Sequence, residues 1–181
     1  MSEVLENLVK QDDEFSESKF KSKVENEFIQ IMLSMVSRKT LPVRHFVNEE
    51  VYAKIINKIK SDVDNGRIQI YDELNVAGVD LTNIEELEDK FKIDVTVHSK
   101  ALNYYLSLAT RRFLSGNNTS RTDRDYHLVF EKKKDNKELG AARRCPGCGA
   151  NLDINKTGVC SYCGTIIPLE NYDWVITKMD I

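Results

Sequence analysis

From Ser16 onward the apolar side chains fall at helical spacing: Phe20, Val24, Phe28, Ile31, Met32 and Met35. Ser16 reads as the N-cap, with Phe15 and Phe20 placed to form a hydrophobic staple across it. The helix is expected to end near Arg38, before Leu41-Pro42, since proline disfavours helix in the residue ahead of it. A short helical turn over Pro42 to Val47 precedes a further helix that Asn48 caps. Its apolar stripe is Tyr52, Ile55, Ile56, Ile59 and Val63, and Asn65-Gly66 supplies a left-handed stop.

The period then changes to two. Ile68 and Ile70 alternate, as do Leu74 and Val76, and a phase shift at Gly78 predicts a bulge or bend before Val79 and Leu81. Phe91, Ile93, Val95 and Val97 form the clearest strand, and Leu102 to Leu108 continue extended in a new phase. Ser115 to Thr122 reads as a turn-rich loop, and Asp125 to Lys133 and Tyr172 to Ile181 as two more strands. Helices followed by a long, bent antiparallel sheet predict an α+β domain with the helices on one sheet face.

Between the last two strands lies a stretch with no core periodicity that holds every cysteine. The final Tyr172-Asp-Trp-Val-Ile176 is too apolar for a small module and is expected to return to the sheet. The expected organisation is therefore a disordered tail over 1–14, a discontinuous α+β domain over 15–133 plus 168–181, and an inserted module over 139–167.

The 181 residues carry a net charge of −3, with 30% charged and 41% hydrophobic, which argues against a general nucleic-acid binder. No basic start leads into an apolar run and no stretch is long enough to span a bilayer, so a soluble, cytoplasmic protein is expected. In that compartment thiols stay reduced, so paired cysteines point to a metal rather than to disulfides.

Those cysteines read Cys145-Pro-Gly-Cys148-Gly and Cys160-Ser-Tyr-Cys163-Gly, two copies of C-x-x-C-G. Two residues between thiolates let one turn present both sulfurs to one ion. The glycine after each second cysteine frees the backbone to turn. Four protein thiolates suit one structural zinc ion and leave no site for an activated water. The segment between the pairs, Leu152 to Val159, has the makings of a β-hairpin turning near Asn155 to Gly158.

The chain also resembles a bacterial member of a known family: the C-terminal domain of the mitochondrial import-motor scaffold, subunit forty-four of the inner-membrane translocase. The resemblance rests on Phe15-Ser-Glu-Ser-Lys-Phe20, Val51 to Gly66, the strand Ile93 to Val97 leading to Tyr104-Tyr105, and the stretch Cys145 to Val175. It implies a cone-like curved sheet of the nuclear-transport-factor-two type, with a zinc ribbon inserted before the last strand. It also implies a non-catalytic scaffold that docks a protein partner in protein transport or membrane-protein handling, with peripheral contact at the inner face of a membrane as an option. Two features differ from the family pattern. No membrane segment or amphipathic helix is read ahead of Phe15, and His127 stands where relatives tend to have tryptophan.

Folds of this curved-sheet class also house isomerases and dehydratases, for which the candidates here are His45, His98, His127, Asp94 and Asp125. Strand or surface roles are the simpler expectation for all five, because fold alone does not carry function. Tyr104, Tyr105, Tyr126, Tyr172 and Trp174 suit either a binding groove or core packing, with core packing the expectation. Lys132, Lys133, Lys134, Lys137, Arg143 and Arg144 form a basic stretch beside the ribbon to which anionic lipid or RNA could bind. Interleaved Glu131, Asp135 and Glu138 favour a solvated linker instead.

Overall fold

The computed structural model describes residues 3–135, 144–145, 147–151, 159–167, 170 and 173–181. Within them, helices α1 (Glu3–Gln11), α2 (Glu17–Ser37) and α3 (Glu49–Asp64) precede strands β1 (Arg67–Glu86), β2 (Lys90–Ser107), β3 (Phe113–Lys133) and β4 (Val175–Met179). The strands form one antiparallel sheet in the order β1-β2-β3-β4. The α+β expectation holds.

Helix α2 begins and ends where its sequence signals place it, with Ser16 extended at the N-cap and Arg38 left-handed at the C-cap. The staple is present, with the Phe15 and Phe20 rings 5.7 Å apart. The Asn48 side chain accepts from the Val51 N–H at 2.9 Å and starts α3. Gly66 sits at φ 65° and turns the chain into β1, a conformation that costs glycine little. The buried face of α3 is rotated from the expected stripe: Val51, Ile55 and Asp62 are inward, whereas Ile56 and Val63 are exposed. Asp62 is drawn in because it pairs with Lys58 at 2.7 Å and Arg67 at 2.9 Å, tying helix to sheet.

The expected disorder of residues 1–14 is not what the structure shows. Glu3–Gln11 is helical, with Leu5 and Leu8 buried against the sheet. Asn7 and Gln11 donate to Glu86 on β1, and Lys132 on β3 pairs with Asp12. A helix this short is marginal in isolation, so its docked face supplies the stability that its own sequence does not. An amphipathic helix thus does precede Phe15, and its buried leucines are spent on the sheet.

Three single-residue bulges interrupt β1 where it pairs with β2, between Asp72 and Asn75, Val76 and Gly78, and Leu81 and Asn83. Each bulge inverts the in–out alternation and bends the strand. Only the one at Gly78 left a clear phase shift in the sequence. The stretch 115–122, expected as a loop, lies within β3. Ala101 pairs with Thr122 and Asn103 with Asn117, so extra residues of β3 loop out while pairing resumes on both sides. The Asn117 side chain holds that loop by accepting from the N–H groups of Thr119 and Ser120.

Phe91, Ile93, Val95 and Val97 of β2 join Tyr126, Leu128 and Phe130 of β3 under the helices. Phe20 on α2 packs edge-on against Phe130 and Trp174, both centroids at 5.2 Å. The other sheet face is a polar ladder, in which Lys90 pairs with Glu131, and Lys92 with Glu85 and Asp94. The outer edge of β4 is covered, because Ile176 exchanges backbone hydrogen bonds with Phe46 and Asn48.

One charged cluster lies inside. Lys23 pairs with Glu27 at 2.8 Å and reaches across to Asp173 at 2.9 Å, while Oε2 of Glu27 has no partner among the described residues. Burial outweighs the Lys23 pairing and pushes the Glu27 carboxyl from 4.5 up to about 7. Because the folded pKa is raised, this group's contribution to stability is complete below about 4.5 and is lost as pH climbs to about 7. The slope within that window is at most ~1.4 kcal/mol per pH unit. Urea midpoints at pH 5 and pH 7.5 test this: Glu27→Gln is expected to remove most of the decline, and an unchanged decline would assign it to other groups.

Candidate metal centre

The two C-x-x-C-G segments fold alike. In the first, Cys145 N–H donates to the Ala150 carbonyl at 2.8 Å and Gly149 N–H to the Cys145 carbonyl at 2.8 Å. In the second, Cys160 N–H donates to Thr165 at 2.9 Å and Gly164 N–H to Cys160 at 2.9 Å, the same pattern fifteen residues on. Bridges Arg144 to Asn151 and Val159 to Ile166 close the two knuckles in the same way. Gly149 at φ 72° and Gly164 at φ 74° make the left-handed turns that the motif predicts.

The knuckles face each other. All four Sγ atoms lie within 4.8 Å of one another, with Cys145 to Cys163 at 3.5 Å and Cys148 to Cys160 at 3.7 Å. A metal–sulfur distance of about 2.3 Å sets the edge of a sulfur tetrahedron at about 3.8 Å, so the donor set fits one such ion. The first cysteine of each pair is buried and the second exposed. Gly147 N–H donates to Cys145 Sγ at 3.3 Å, and the Thr165 hydroxyl lies 3.0 Å from Cys163 Sγ. Those Thr165 bonds, side chain first, pull the Cys163 thiol down to about 6. The Ala150 backbone bond pulls the Cys148 thiol down, but the surrounding sulfurs and burial together outweigh it and push it up to about 12. Four thiols crowded this closely cannot all ionise unless a cation offsets them. The expected hairpin turn at Asn155 to Gly158 lies outside the described residues.

Gly147 has a second role. A Cβ there would stand 2.2 Å from Thr165 Oγ1 and 3.2 Å from its Cβ. Gly147→Ala is expected to push the knuckles apart and weaken metal binding about 10- to 100-fold, the range for groups that orient metal ligands. Adding Thr165→Ala to the same chain is expected to recover part of the loss. Competition with a chromophoric chelator checks both, and a Gly147→Ala chain of unchanged affinity would refute the close contact.

The candidate acid–base residues do not converge. His45 is half-buried beside Phe46, its Nδ1 without a partner among the described residues, and burial lowers its pKa. His127 meets the Thr96 hydroxyl at 3.1 Å, and Asp94 faces Asn83 and Lys92 on the polar ladder. Only His98 and Asp125 meet, at 2.7 Å, with Asp80 on the other side of the ring at 3.0 Å. Both bonds raise the His98 pKa, that to Asp125 more. Sequence reasoning missed Asp80. Its outward phase between Val79 and Leu81 was visible, but the register placing it beside His98 was not. The trio stands on the solvent side of the sheet.

The interior beneath the helices is filled by Phe28, Phe46, Phe130, Ile31, Met32 and Ile55, all fully buried. A groove of about 550 Å³ opens between the N-terminal half of α2 and Val76 to Val79 of β1, and no histidine lines it. Tyr126 and Trp174 are core residues, as expected, while Tyr104 and Tyr105 are half-buried and Tyr172 lies outside the described residues. Of the basic stretch, Lys132 pairs with Asp12 and Lys134 with Glu86, Arg144 is exposed, and Lys137 and Arg143 lie outside the described residues. Among the described residues no helix is long and apolar enough to cross a membrane.

No curated protein matches the chain. Among solved structures it is similar to the intermembrane space region of the chloroplast protein ARC6, at 11% identity and a TM-score of 0.44, over 88% of this chain and 94% of that one. The family model described as the Tim44-like domain matches residues 1–141, which include all three helices and the first three strands and stop short of Cys145. The chain therefore belongs to the Tim44-like domain family.

Proposed function

We propose that this protein is a non-catalytic scaffold that docks a protein partner in protein transport or membrane-protein handling, with one structural zinc ion in its four-cysteine module. Family membership over residues 1–141 carries the docking half of this reading. The dispersal of the histidines and the filled interior support it, since an enzyme of the isomerase or dehydratase type needs an acid or base inside a pocket. Zinc is the metal whose chemistry best matches four thiolates at tetrahedral spacing. Cys145, Cys148, Cys160 and Cys163 would hold it, and it would supply folding energy to a segment with little apolar surface of its own.

Crosslinked affinity capture of the tagged protein from its native cells, with membrane and soluble fractions kept apart, tests the docking half. Enrichment of translocation or membrane-protein machinery is expected. Turnover of a small molecule by the purified, metal-loaded chain would overturn the non-catalytic reading. Metal analysis of protein purified without added metal tests the other half, and iron in place of zinc would correct it.

A further inference from the structure

We infer that His98 is a proton-operated clasp that joins β1 to β3 across β2 and holds the β1 wall of the groove beside α2. His98 stands on the middle strand, with Asp125 of β3 on its Nδ1 at 2.7 Å and Asp80 of β1 on its Nε2 at 3.0 Å. Its register partner on β1 is Gly78, where a Cβ would stand 3.8 Å from the ring. Gly78 puts no side chain there, so β1 reaches the ring on the diagonal, through Asp80, whose own register partner is Thr96.

An ionised carboxylate can only accept hydrogen bonds, so both contacts are made together only by an imidazolium, which donates from both nitrogens. A neutral ring keeps one N–H and turns a lone pair toward the other carboxylate. The shorter contact, to Asp125, also raises the His98 pKa more than that to Asp80 does. The last proton therefore stays on Nδ1, and Asp80 is the arm released. Among the described residues the Asp80 side chain has no other partner to hold it. The groups next along the polar ladder are Thr96 with His127 on one side and Lys100 with Asp123 on the other. Because the His98 pKa is raised, the clasp is closed below the ordinary 6.5 and opens as pH climbs through the raised value. Gly78 and Val79 line the groove opposite Glu17, Lys21 and Glu25 of α2, so the strand that Asp80 lets go is one wall of that groove. This inference does not depend on the protein partner proposed above.

The test is a histidine titration by NMR on the metal-loaded full chain, joined to amide exchange with each rate divided by that of the unstructured peptide. His98 is expected to titrate above 6.5, Asp80→Asn to lower its midpoint and Asp125→Asn to lower it further. From about pH 6 to about pH 8.5 the strand-paired amides of residues 78–83 are expected to open about two- to fivefold more often, the range for one exposed ion pair. Glu27 titrates in the same window, so exchange is read in the Glu27→Gln chain. His98→Gln, which does not titrate, is expected to abolish the rise. A His98 midpoint at or below 6.5, a rise that survives His98→Gln, or an equal rise at Leu128 and Phe130 would overturn the inference. So would the reverse order of the two aspartate variants, which would put the released arm on β3 and leave the groove wall fastened.

Discussion

Cys145→Ser is expected to reduce bound metal from one ion per chain to a trace while leaving most of the helical signal in place. Cys145 is the buried thiol of the first knuckle, 3.5 Å from Cys163 and hydrogen-bonded by Gly147. A serine hydroxyl there is not a thiolate, and three sulfurs leave the ion open to water and competing chelators. Structural zinc contributes on the order of 10–16 kcal/mol to folding modules of this kind, far more than their apolar contacts. The helices and the long strands lie elsewhere in the chain, and among the described residues of the knuckles only Ile167 joins the core cluster. Metal content after gel filtration, read beside far-ultraviolet circular dichroism, checks both halves. Collapse of the whole fold would show that the knuckles and the sheet form one cooperative unit.

The second large effect lies in the core. Phe130 is fully buried on β3, edge-on to Phe20 and paired across to Ile176 on β4. Phe130→Ala removes the ring that joins α2 to the sheet and leaves a cavity, a change that costs about 3–5 kcal/mol. For a chain of this size that lowers the melting temperature on the order of 10 °C. Phe113→Ala, at an exposed site, is expected to change stability by no more than about 0.5 kcal/mol. Thermal melts of the two variants side by side make the comparison. Equal losses would mean that the helix–sheet contact is not where stability resides.

The insertion is accommodated by strand pairing. Glu131 on β3 lies opposite Val175 on β4, and Phe130 opposite Ile176, so both ends of the cysteine segment leave the sheet side by side. A long excursion between adjacent antiparallel strands closes at little extra entropic cost, and the sheet need not know what folds within it. Trp174 then anchors the return by packing against Phe20.

The limits of helices α2 and α3, the alternation of β2, the bulge at Gly78 and the four-sulfur site were legible in the sequence. Each depends on residues within a few positions of one another, where periodicity, capping and ligand spacing act locally. The docking of α1, the pairing through residues 113–122, the inward turn of Asp62 and the meeting of His98 with Asp80 and Asp125 were decided only in three dimensions. The N-terminal segment spaces Val4, Leu5, Leu8 and Val9 as a helix would, but nine residues are too few to hold one until β1 and β3 offer it a surface. The stretch after Phe113 reads as a loop because it is polar, yet β2 pairs with it as far as Asn117 and again from Thr122, and only the residues between loop out around the Asn117 side chain. Asp80 reaches His98 only after single-residue bulges have set the register between β1 and β2. Local chemistry writes elements and ligand sets into the chain, whereas contacts between residues far apart in sequence exist only once the sheet has closed.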